Sequence, residues 1–232
     1  LSDNLLVRKN RVLIVIHAQD PAQALRNAAI AFEAGADGIF LINHRIDYTA
    51  LLECYRAVRE RHPKRWIGIN PLGREPRRAI VTTPPLLNGL WVDDIGVNED
   101  AQRPEAEAKD LWELRRHLPY LTGRFFGSIA FKHQKEIRDP ARIAQLVAPF
   151  VDVITTSGER TGVPPTIEKI RAIREAIGPR PFLAIASGIT PENIADYLPL
   201  ADHFLANTGV SRLFTELDPA RIRALVAAAN PH

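Results

Sequence analysis

Eight short apolar runs, each closing on a polar residue and most followed by a stretch of helical periodicity, constrain this chain more than any other feature. The first, residues 12–16 (VLIVI), is all β-branched residues and leucine, as expected for a parallel strand buried on both faces. It closes at His17, and Asp20-Pro21 then supplies an N-cap and a first-turn proline for a helix running to about Ala34. Gly35 follows as the C′ residue.

The unit repeats. A second strand over 37–42 ends at Asn43-His44 and precedes a helix over 47–61. A third over 66–69 ends at Asn70-Pro71, and its helix, 75–81, is hemmed in by Pro76, Pro84 and Pro85. The fourth, 89–92, ends at Asp93-Asp94, before a polar loop and a helix over 104–117. The fifth, 125–131, ends at Lys132-His133, with Asp139-Pro140 opening a helix. The sixth, 151–155, runs into a loop over 157–162, and Thr166 begins the next helix. The seventh and eighth are 182–186 and 202–206, and a last helix spans 219–229. The turn at 187–190 is expected to lead into a helix before strand 8, and a second small-residue turn, 207–209, to open another.

Eight alternating units without a break in composition read as α/β, a single (β/α)8 TIM barrel over residues 1–232. A doubly wound open sheet would not need eight units, and no GxGxxG turn follows the first strand. Residues 1–10 read as a lead-in across the barrel bottom.

Hydrophobic residues at 46% and charged residues at 25% suit a globular chain with a substantial core. The net charge is only +3, and arginines such as Arg56, Arg59, Arg171 and Arg174 are scattered over helix faces, which argues against nucleic acid as a partner. A single cysteine, Cys54, excludes an internal disulfide framework and a thiolate metal cluster, and reads as a packed thiol. No apolar run approaches the roughly 20 residues of a membrane span, so a cytoplasmic location is the expectation. A homo-oligomer is left open.

In such a barrel the strand C-terminal ends converge on one mouth, here carrying His17, Asn43, Asn70, Asp93, Lys132, Ser157, Ser187 and Asn207. Lys132, Asp93 and His17 are the candidate acid–base residues, because strand ends facing water account for Ser and Asn better than for a histidine and a lysine. The turns after strands 7 and 8 are the usual phosphate site of this architecture. Ser187, Gly188, Asn207, Thr208 and Gly209 are therefore the predicted phosphate contacts, and Asn43, Asn70, Ser157 and Thr161 the predicted contacts to the rest of the substrate. Asp93, Asp94, Asn98, Glu99 and Asp100 form an acidic stretch of hard oxygen donors. It reads as a solvated loop, and neither a metal nor a cofactor is expected.

The stretches DVITTSGERTGVPP (152–165) and SGITPENIADYLPLADHFLANT (187–208) resemble the BtpA family of TIM-barrel proteins. That family carries a (T/S)Gx(x)TGxPP loop after strand 6, a GSGVTPEN turn after strand 7 and a GT turn after strand 8. Its strand-end residues also resemble His17, Asn43, Gly68-Ile69-Asn70 and Lys132-His133, so the likeness spans most of the chain. Three departures stand out: a shorter loop after strand 1, Asp93 in place of an asparagine, and Asn207 in place of the glycine before Thr208. The resemblance implies a barrel of the ribulose-phosphate-binding type acting on a small phosphorylated molecule, a sugar phosphate or nucleotide-like compound, by isomerase, lyase or glycosidic-cleavage chemistry. Two alternatives accompany it. One is a non-catalytic assembly factor, as some BtpA relatives are. The other is a phosphoribosylanthranilate-isomerase-like enzyme, whose chemistry uses a cysteine or glutamate at an early strand end where this chain has His17.

Overall fold

The computed structural model describes residues 10–230, so the lead-in expected over 1–10 falls almost wholly outside the described residues. Eight parallel strands close into a barrel: β1 (Arg11–His17), β2 (Gly38–Ile42), β3 (Trp66–Asn70), β4 (Gly89–Val92), β5 (Arg124–Ser128), β6 (Val153–Thr156), β7 (Phe182–Ile185) and β8 (His203–Ala206). They pair in sequence order, and β8 closes on β1 with His203 opposite Arg11. The helices are α1 (Pro21–Glu33), α2 (Tyr48–Arg61), α3 (Pro76–Val81), α4 (Ala106–Arg116), α5 (Pro140–Val147) and α6 (Ile167–Ile177), with α7 (Pro219–Ala229) last. Asp20, Asp47, Asp139, Thr166 and Asp218 each accept a backbone N–H of their helix's first turn, as the sequence signals require. None of the helices among the described residues is long and apolar enough to cross a membrane.

Three expectations need correction. No α-helix forms between β7 and β8; the stretch holds one 3-10 turn, Ile194–Asp196. Pro191 is compatible with a first helical turn, but Pro199 closes the stretch eight residues later, and the residue before a proline is disfavoured in the α region, so too little chain is left for a stable helix. The turn after β8 likewise gives one 3-10 turn, Thr208–Val210, and then an antiparallel hairpin of β9 (Ser211–Leu213) and β10 (Glu216–Leu217) before α7. Strand 5 stops at Ser128 rather than residue 131, because Ala130 adopts a φ of 45°, which a strand does not accommodate.

Two layers of core result. Inside the barrel Phe40 meets Trp66, Trp91 and Phe126 edge to face, with ring centroids 5.1, 5.6 and 5.0 Å away. Pairs of this kind contribute about 0.5–1.5 kcal/mol each beyond burial. Gly68 makes room for them, since a Cβ there would lie 2.4 Å from the Phe40 ring. Outside, aliphatic side chains of the strands pack on the helices, and Cys54 is fully buried there with burial pushing its thiol up to about 11.

His203 sits fully buried near the foot of the barrel interior, beside Phe182 and Phe126, and neither ring nitrogen has a partner. Burial lowers its pKa from 6.5 to about 3. Between those values the unfolded chain binds a proton that the native chain refuses, so this residue makes stability fall as pH drops through that window. His203→Leu should remove the slope: in chemical denaturation at pH 7 and pH 4.5, the wild type should lose about 2–3 kcal/mol more than the variant. At pH 7 the variant should be at least as stable, since two unpartnered polar atoms are gone. Equal losses in the two proteins would show that His203 takes up a proton without unfolding.

Candidate functional site

The strand C-terminal ends open into a cleft of about 650 Å³. His17, Asp93 and Lys132 all line it. So do Thr161, Ser187, Gly188, Asn207, Thr208 and Gly209. Asn43, Asn70 and Ser157, expected as substrate contacts, do not, because the ends of the strands need internal partners. Asn70 is buried and donates to Asp93 Oδ1 at 2.8 Å and to Trp91 O at 3.2 Å. Ser157 Oγ accepts from Lys132 N and donates to Gly158 O, both at 2.8 Å. Asn43 Oδ1 accepts from Leu72 N at 2.8 Å, tying the loops after β2 and β3 together.

Asp93 and Lys132 follow the neighbouring strands β4 and β5 and sit in each other's field. Burial raises the Asp93 carboxyl above the ordinary range, against the hydrogen bond from Asn70 and the charge of Lys132. Burial lowers the Lys132 ammonium, against the charge of Asp93. Both shifts run toward the neutral forms, the direction general acid–base chemistry calls for. His17 differs. Burial, then His44 and Lys132, hold it down at about 3, so it is a neutral imidazole and works as a hydrogen-bonding group rather than a second charged proton carrier.

The two small-residue turns meet at the cleft. A Cβ on Gly188, whose φ is +67°, would lie 2.1 Å from Pro164 N, and one on Gly209 would lie 2.3 Å from Ile189 O. Both glycines are thus required by loop-on-loop packing before any ligand is considered. The close packing leaves the backbone N–H groups of Gly188, Ile189, Thr208 and Gly209 without an acceptor among the described residues. Asn207, a predicted phosphate contact, donates its Nδ2 to Val15 O at 2.8 Å and so braces the turn against β1. Ser187 Oγ donates to Arg160 O at 3.2 Å, drawing the loop after β6 over β7.

Sequence reasoning missed Phe214, His44, Trp91 and Gln134, all of which line the cleft. His44 and Trp91 adjoin or belong to predicted strands, whereas Phe214 sits on a hairpin the pattern did not reveal. Its ring stacks on His17 at 4.1 Å between centroids and 22° between planes. Gln134 bridges the loop after β5, donating to Asp93 O and accepting from Phe131 N. The acidic loop is not simply solvated. Glu99 accepts from Arg138 N and Asp139 N, both at 2.9 Å, and Asp100 pairs with Lys135 at 2.8 Å, which ties the loops after β4 and β5 together. Among the described residues no group of three or more His, Cys, Asp or Glu is placed to hold a metal ion.

No protein-family model matches the sequence, and no curated protein does. Solved structures match the fold. The native KDPGal structure superposes with a TM-score of 0.67 at 13% identity, over 94% of this chain and 93% of that one. Phosphoribosyl anthranilate isomerase from Thermus thermophilus gives 0.66 at 19% identity, over 94% and 97%. (S)-3-O-geranylgeranylglyceryl phosphate synthase from Thermoplasma acidophilum, solved with sn-glycerol-1-phosphate, gives 0.66 at 14%, over 98% and 96%. At such identities the likeness establishes the closed eight-stranded barrel.

The packing argument is testable at two glycines of the cleft with similar φ. Gly188→Ala should destabilise by more than about 3 kcal/mol, because the methyl group meets backbone as well as a left-handed conformation. Gly73→Ala, at φ +73° with nothing within 4 Å, should cost only about 1–2 kcal/mol. Urea denaturation of both variants measures the difference, and comparable losses would remove the packing account.

Proposed function

We propose that this protein is an enzyme acting on a small phosphorylated metabolite. Its phosphate lies between the turns after β7 and β8, and its reacting group faces Asp93 and Lys132. The observation that carries this reading is the set of four unpartnered backbone N–H groups, from Gly188, Ile189, Thr208 and Gly209, on the same cleft as the Asp93–Lys132 pair. Converging amides are an anion-binding device, and this is where barrels of this architecture hold phosphate. Several proteins that share the fold are named for phosphorylated compounds, among them phosphoribosyl anthranilate isomerase and 3-hexulose-6-phosphate synthase.

Isomerisation, lyase chemistry and glycosidic cleavage each move a proton beside the anchored end. Asp93 and Lys132 supply a carboxyl drawn up and an ammonium drawn down, and Lys132, once neutral, is also a nucleophile for a carbonyl carbon. Asn70 and Ser157 hold the two groups in place from behind. Membership of the BtpA family belongs to the same proposal. It rests on the motif residues, and here Gly158, Pro164 and Gly188 are the ones the loop-on-loop contact requires.

The assembly-factor alternative calls for one broad apolar surface. The large exposed apolar residues divide between the two ends of the barrel instead, with Val81, Leu86 and Tyr120 in or beside loops leading into strands and Leu213 and Phe214 at the mouth.

Inorganic phosphate tests the reading directly. At a concentration 100 times its Kd it should stabilise the wild type by about 2.7 kcal/mol, read as a rise in Tm. Thr208 is exposed, so Thr208→Glu should fold normally while its carboxylate repels the anion and abolishes the rise, and Thr208→Ser should keep it. A wild type indifferent to tens of millimolar phosphate, or a Thr208→Glu variant stabilised equally, ends the proposal.

A further inference from the structure

Away from the two phosphate turns the cleft carries two aromatic walls beside its charged lining of Arg74, Glu75, Asp93, Asp94 and Lys132. On the β1–β2 side His17, His44 and Phe214 form one cluster: Phe214 stacks on His17 at 4.1 Å, and His44 meets the two rings at 4.6 Å from His17 and 5.4 Å from Phe214. On the β4–β5 side Trp91 and Phe131 pack edge to face with centroids 5.9 Å apart. Val15, Ile42, Leu72 and Leu205 supply the aliphatic part of the lining.

Phe214 is 44% exposed, and its position is built rather than incidental. It forms the β9–β10 turn with Thr215, whose carbonyl accepts from both Gln23 Nε2 and Asn27 Nδ2 at 2.9 Å. Both amides are buried, and Asn27 Oδ1 also takes Leu217 N at 3.3 Å. Two buried side chains thus hold an exposed ring over the mouth. Meanwhile the polar strand-end groups that would serve the hydroxyls of an open sugar, Asn43, Asn70 and Asn207, are engaged with backbone or with Asp93. A cleft of about 650 Å³ lies mid-range for drug-sized ligands and exceeds what a bare pentose phosphate fills.

We infer that the substrate is a phosphate ester carrying a planar unsaturated ring, and that the ring lies between the Trp91–Phe131 wall and the His17–His44–Phe214 cluster. This rests on the phosphate reading above and narrows it, separating ring-bearing phosphates from polyhydroxy sugar phosphates. His17 is neutral there and presents an aromatic face rather than a cation. The ring end gains from stacking, where aromatic pairs are favourable beyond their area.

Calorimetric titration with three probes tests it: inorganic phosphate, ribose 5-phosphate and phenyl phosphate. The wild type should bind phenyl phosphate at least tenfold more tightly than ribose 5-phosphate. Phe214→Ala and Phe214→Leu should each weaken phenyl phosphate about tenfold while leaving inorganic phosphate within twofold, with melting temperatures confirming that both variants fold. If inorganic phosphate binds but ribose 5-phosphate equals or exceeds phenyl phosphate, the ring inference falls and the phosphate reading stands. A Phe214 variant that weakens all three probes alike also overturns the inference. Failure of inorganic phosphate to bind at all removes both.

Discussion

Four clamps at the foot of the barrel, one buried and three half-buried, set the register of everything above them. Asp37, Asn88, Asp152 and Asp202 each precede an even-numbered strand, and each accepts the second backbone N–H of the odd strand beside it. The donors are Val12, Ile67, Phe125 and Leu183, at 2.9, 2.9, 2.7 and 2.9 Å. Each clamp also takes an arginine: Arg11 for Asp37, Arg59 for Asn88, Arg115 for Asp152 and Arg174 for Asp202. Three of those arginines come from α2, α4 and α6, so the device locks helix to strand as well as strand to strand. A buried charge left without its partner is strongly destabilising, which gives such a clamp authority over register. Register in turn decides the mouth. Side chains alternate along a strand, so a slip of one residue would turn His17 and Asp93 out of the cleft and their neighbours in.

This division explains what the sequence made legible. Strand number, order and the polar strand ends follow from periodicity and from residues that sit where the chain leaves the sheet. The roles of those ends do not. Asn70 and Ser157 look like ligand contacts in the sequence because amide and hydroxyl groups serve a substrate and a backbone equally well, and only the fold shows which partner is near. The hairpin escaped detection because strands of three and two residues are too short to show an alternating pattern, and Phe214 went with it. Between β7 and β8 the helix expectation failed because Pro199 ends the stretch too soon after its start at Pro191.

The loops of the mouth are tied to one another by side chains from behind. Lys169 illustrates how. Its ammonium lies within 2.7 Å of both Ala130 O and Ser157 O, joining the loops after β5 and β6 immediately behind Lys132. Burial lowers it to about 8, yet two carbonyl acceptors favour its charged form, so it serves as a cross-link between the two loops. Ala130 holds a left-handed φ of 45° at that point, an uncommon conformation for alanine that this cross-link helps to fix.

Residues 207–217 carry both the turn proposed to hold an anion and the aromatic roof on one continuous segment. The segment is fastened at its start by Asn207 to Val15, at its tip by Gln23 and Asn27 to Thr215, and beyond its end by Asp218 N to Val210 O at 2.8 Å. None of those fastenings involves the clamps at the opposite end of the barrel. Ligand preference is therefore stored as a cassette: a change in the length or composition of eleven residues can redirect what the mouth accepts while the barrel keeps its shape. The same economy makes this segment the natural place to exchange when the scaffold is asked to take a different ligand.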